Sequence, residues 1–137
     1  MTTTAVKPTA TEAITAHIAS TLRHIDRCIA DMTEKMNADY LHFFEWTAEN
    51  MFKAQKRRAF YAALANAVED KDEAIDLSAW FLDIARRKSD ELVRGSLTRN
   101  STSPMANHAH LLNLEVEQEL IKEMESLACA AEYFSKQ

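Results

Sequence analysis

A single glycine, Gly95, among 137 residues constrains this chain more than any other feature. Sandwiches and barrels of this size turn on glycines, and Rossmann or P-loop sites need them so that backbone can approach phosphate. Neither class is open to this sequence. Its prevailing residues, Ala, Leu, Glu, Lys, Met and Arg, are those that lose least on entering a helix. The chain therefore reads as all-α. At this length it forms one domain with a core able to stand without disulfide or metal staples. We expect a short flexible tail over 1–10 and one helical domain over 11–137.

Apolar spacing divides that domain into four helices. Thr9 and Glu12 have the spacing of a capping box, and Ile14, Ile18, Leu22, Ile25, Ile29, Met32 and Met36 follow in steps of three and four. The phase of the stripe shifts at 37–39, where Asp39 can cap a second helix. That second helix is expected to run unbroken from Tyr40 to Val68. A polar run follows, in which Asp70 and Glu73 again have capping-box spacing. Leu77, Phe81, Ile84, Ala85 and Leu92 mark a third helix, expected to stop at Gly95 in a left-handed C′ position. A loop over 96–103 leads to Ser103-Pro104, an N-cap followed by proline at the first helical position. The fourth helix carries Leu120, Met124, Leu127, Ala131 and Phe134. Short connections between long helices favour an antiparallel up-down-up-down four-helix bundle.

The second helix is apolar on two sides. One stripe, Leu41, Phe44, Ala48, Met51, Gln55 and Ala62, is expected to face the core. Phe43, Trp46, Tyr61, Leu64 and Val68 lie roughly opposite. A bundle helix needs only one stripe, and large exposed apolar patches mark association surfaces, where aromatics and Arg supply most of the energy. Phe43, Trp46, Arg57, Tyr61 and Leu64 are therefore the expected partner-binding residues. They suit a non-catalytic interaction protein, a homo-oligomer such as a homodimer, or a small subunit of a larger assembly.

Other constellations point to alternatives. Lys53, Lys56, Arg57 and Arg58 on the second helix lie level with Arg86, Arg87 and Lys88 on the third. Lys53, Arg57, Arg58, Arg86 and Arg87 thus form a candidate site for an anion or RNA. The formal net charge of −5 argues against general nucleic-acid binding. His42, Glu45, His108 and His110 gather at one end of the expected bundle and offer a metal-binding alternative, ferritin-like in architecture only. No Glu-x-x-His pair of the di-iron kind occurs in the chain. Glu45 and Glu49 with Glu73 and Asp76 resemble the helix-borne carboxylates of the all-α NTP pyrophosphohydrolases, which hold magnesium. On an unbroken helix, however, Glu49 and Glu73 stand ~30 Å apart, too far to share an ion. His17 and His24 flank the first helix's seam, and no nucleophile–base set identifies itself.

Cys28 and Cys129 sit in the first and last helices, with no CxxC and no His at zinc spacing. They read as small buried hydrophobes in a reducing compartment. The N-terminal ten residues lack the apolar stretch of a signal peptide, and no run approaches the ~18 residues of a membrane span. A cytoplasmic protein with no cofactor and no membrane contact is the expectation.

Overall fold

The computed structural model describes residues 9–69, 76–98 and 102–136. Five helices and no strand occur among them: α1 (Ala10–Ala38), α2 (Tyr40–Trp46), α3 (Ala48–Glu69), α4 (Leu77–Thr98) and α5 (Pro104–Ser135). The tail expected over 1–10 lies outside the described residues except for Thr9 and Ala10, and Ala10 already opens α1.

Side-chain caps set the helix starts. Thr9 Oγ1 accepts from Glu12 N–H at 3.1 Å, Asp39 Oδ1 from His42 N–H at 3.1 Å, and Ser103 Oγ from Ala106 N–H at 3.3 Å. Each satisfies one of the amides that a helix N-terminus leaves without an intrahelical partner. Asp76 does the same for α4 through Ala79 N–H. The proposed Asp70–Glu73 cap lies outside the described residues.

Two expected boundaries are corrected. Gly95 does not end a helix: α4 runs through it to Thr98, and no glycine among the described residues has positive φ. The helix takes up 96–98, the first three residues of the expected 96–103 loop. The helix expected over Tyr40–Val68 is also not one rod. It is interrupted at Thr47 (φ −123°, ψ −19°), without glycine or proline. Hydrogen bonding continues on both sides, from Thr47 N–H to Phe43 O at 2.7 Å and from Met51 N–H to Thr47 O at 3.0 Å. A single residue thus leaves helical geometry while the hydrogen bonds on either side of it are kept.

The core is built from Ile14, Ile18 and Ile25 of α1, Tyr61, Leu64 and Val68 of α3, and Leu77, Phe81 and Ala85 of α4. From α5 come Val116, Leu120, Met124, Leu127, Ala128 and Ala131. α4 packs along α5, α1 packs along α3, and α5 also touches α1 and α3, so α5 joins the two pairs. No polar or charged residue among those described is fully buried. No helix of the described residues is long and apolar enough to cross a membrane.

Candidate interaction surface

α2 has only seven residues, so cap and packing place it more than helix propensity does. Asp39 opens it, Phe43 is buried beneath it, and it leans chiefly on α1. At 100° per residue, Tyr40, Phe44 and Leu41 fall within 100° of one another, on the side of α2 next to the one that carries Phe43. Their relative exposures are 60%, 74% and 51%. The Tyr40 ring stacks on Phe44 with centroids 6.3 Å apart, which stiffens this face. Ala48 and Phe52 extend it into α3. Across from them Met105, His108, Ala109 and Leu112 of α5 close a groove of about 380 Å³. His108 Nε2 meets Glu49 Oε1 at 2.6 Å among the lining residues, and the Lys56 ammonium stands over the Phe52 ring, 5.7 Å from its centroid.

This reverses the faces expected of the second helix. Phe43, Tyr61 and Leu64, expected on the outer side, are buried at 6%, 3% and 4% exposure. Val68 joins them in the core. Leu41, Phe44 and Gln55, expected inside, are exposed. Trp46 is the one predicted contact residue that is both apolar and open to solvent, 72% exposed, with the His42 ring 6.5 Å from its own. It lies about 200° around the helix from Phe44 and is therefore not part of the groove face. Past Thr47 both stripes mix polar and apolar residues: the inner one runs Lys53, Arg57, Tyr61, Leu64 and Val68, the other Met51, Gln55, Ala59, Ala62 and Asn66. Polarity along the helix therefore does not mark the inner side.

Arg57 belongs to a half-buried network between α3 and α5. Its Nη1 and Nη2 donate to Glu123 Oε2 and Oε1 at 2.5 and 2.6 Å, and Tyr61 Oη donates to Oε1 at 2.6 Å. Partial burial pushes the Glu123 carboxyl up, but these donors outweigh it and hold the group below the usual carboxylate range. Burial, then the bond to Glu123, pushes the Tyr61 phenol well above its ordinary value. One turn earlier Lys53 pairs with Glu115 at 2.6 Å, a contact that raises the ammonium's pKa despite some desolvation. Lys53, Arg57 and Tyr61 thus mesh with Glu115, Glu119 and Glu123.

Four of the remaining predicted cations are also paired, while Lys56 stands over the Phe52 ring. Arg58 meets Asp26 at 2.6 Å, Arg86 and Arg87 both hold Asp83, and Lys88 meets Glu117 at 2.8 Å. Two arginine donors keep the Asp83 carboxyl below its ordinary value. Apart from Lys56, the expected level basic patch across the second and third helices is thus a set of ion pairs. An incoming phosphate would compete with a carboxylate at each of Lys53, Arg57, Arg58, Arg86 and Arg87.

The metal alternative is not assembled. His42 lies by Trp46, His108 is taken by Glu49 rather than Glu45, and the half-buried His110 ring has an Nδ1 without a hydrogen-bond partner among the described residues. Among the described residues no group of three or more His, Cys, Asp or Glu could hold one ion. Of the pyrophosphohydrolase-like carboxylates, Glu73 lies outside the described residues. Asp76 caps α4 beside Ala10 and Ser135, far along the molecule from Glu49.

Both thiols are free. Cys28 is half-buried, and its Sγ lies 3.7 Å from His24 Nε2 in a groove shared with Met32 and Lys53. Cys129 is exposed, so the expectation of burial fails there because its position faces outward on α5. The His24–Cys28 contact was readable from their separation of one helical turn.

No family model, no curated protein and no solved structure matches this chain. The reading rests on its own residues.

Proposed function

We propose that the protein is a non-catalytic, all-helical interaction protein that meets a protein partner through the outer face of α2 and the groove beside it. The observation that carries this reading is the exposure of Tyr40, Leu41 and Phe44 on one short helix, next to an apolar groove that they leave open. Water-exposed aromatic and aliphatic side chains this close together are uncommon on monomers and mark contact surfaces. In this reading the earlier contact set is reduced to Trp46, which lies on a neighbouring side of α2 and extends the surface. Phe43 supports it from beneath, and Arg57, Tyr61 and Leu64 belong to the contacts of α3 with the rest of the fold.

The architecture that holds the face belongs to the same proposal: an antiparallel up-down-up-down four-helix bundle, with α2 and α3 together forming its second leg. Support comes from ion pairs that ascend α3 and α5 together, Lys53–Glu115 and then Arg57–Glu123. A reducing, cytoplasmic setting completes the reading, in keeping with two thiols carried on separate helices.

The test is a photoreactive phenylalanine analogue at position 40, in cells of the source. A cross-link to a discrete protein, another copy included, is expected there and not from position 133 at the other end of α5. Equal, diffuse labelling from both positions would remove the proposal.

A further inference from the structure

We infer that the partner at this face is a second copy of the same chain, the two copies packing face to face about a twofold axis. This inference rests on the interaction reading above and names its partner. Three observations carry it. The first is self-complementarity. A twofold interface must put the same surface on both sides, so every knob needs a hole within the same patch. Leu41 is the most exposed large hydrophobic residue among those described, at 74%, and it stands on the face that leads into the groove walled by Phe44, Phe52, Met105 and Leu112. Knob and hole therefore lie side by side on one surface.

The second is area. At roughly 150–250 Å² for a large side chain, the exposed parts of Tyr40, Leu41, Phe44 and Met105 add up to about 500 Å² of apolar surface. A standard interface takes about 800 Å² from each partner, a little over half of it apolar, or about 450 Å². The patch matches what one copy must contribute.

The third is charge. α2 has no Lys or Arg, and its cap and body carry Asp39 and Glu45. Among the described residues the groove has the His108–Glu49 contact and one lysine, Lys56, whose ammonium stands over the Phe52 ring 5.7 Å from its centroid. A single lysine offers an anionic lipid surface or an acidic peptide little to pair with, whereas an apolar surface of the same kind needs no cation.

The experiment is sedimentation velocity of the full chain from about 1 to about 200 µM, a range that spans dissociation constants typical of interfaces this size. The wild-type protein should approach twice its 15.6 kDa mass. Leu41→Asp should raise the dissociation constant roughly 30-fold or more, as loss of an interface anchor does, with helical circular dichroism unchanged. Met105→Glu, on the opposite wall of the groove, should act alike, so the result does not depend on one variant's folding. Tyr133→Ser, at the far end of α5, should leave the dimer intact. A wild-type monomer across the range overturns the inference. So does a dimer that survives both groove variants, because the copies then meet elsewhere. If the monomer is nonetheless cross-linked from position 40 to a different protein in cells, the interaction reading stands and only the second copy is lost.

Discussion

Glu123 accepts from both Arg57 amino groups and from the Tyr61 hydroxyl, and no other side chain ties α3 to α5 through so many bonds among the described residues. Glu123→Gln would leave the partly buried Arg57 charge with only the more distant Glu119 carboxylate, 3.6 Å away, as counter-ion. We expect a loss of about 1–3 kcal/mol in urea denaturation at neutral pH. The acid limb gives a second measurement. Because the folded-state carboxyl ionises below its unfolded value, its contribution is complete above the ordinary carboxylate range and is lost as pH falls through the folded value. The stability gap between wild type and Glu123→Gln should therefore narrow on going from about pH 6 to about pH 3, since carboxylates titrate near ~4.3 when unperturbed. A gap independent of pH would show that Glu123 acts by packing alone. Arg57 was picked out in the sequence as a conspicuous cation, but its partner lies 66 positions away. Spacing along one helix carries no information about a contact made between helices.

α2 is the element whose placement the sequence conceals. Its start was legible: Asp39 is a good N-cap exactly where the apolar stripe changes phase, and the structure begins the helix at Tyr40. Asp39→Ala should cost about 1 kcal/mol, the usual value for a lost cap, seen as a lower denaturation midpoint. A neutral outcome would mean that Phe43 burial alone holds the helix. The bend at Thr47 was not legible, because threonine sits in many straight helices and only the packing of α2 on α1 selects the kinked form. The face inversion has a similar origin. Two apolar stripes of equal period both satisfy an inward-facing helix, and periodicity alone does not say which one meets the neighbours. Gly95 is the reverse case. A residue that suits a helix end is carried inside α4, where it costs roughly 1 kcal/mol relative to alanine.

At the scale of the whole molecule α5 is the common wall, with seven buried residues from Leu112 to Ala131 and contacts to α1, α3 and α4. Cooperative stability should grade accordingly. Native-state hydrogen exchange is expected to be slowest in the middle of α5 and fastest in α2, whose one buried residue, Phe43, stands outside the main core. Uniform protection across both elements would contradict that grading. The sequence alone determined the all-helical class, most helix starts and the apolar seams of α1, α4 and α5, because these follow from short-range propensity, caps and the 3.6-residue repeat. Tertiary structure alone decided the bend at Thr47, the side of α2 and α3 left in water, and the pairing of Lys53, Arg57, Arg58 and Lys88 with carboxylates on other helices. These depend on which surfaces meet across the fold, and burial is a property of the assembled helices rather than of any one of them.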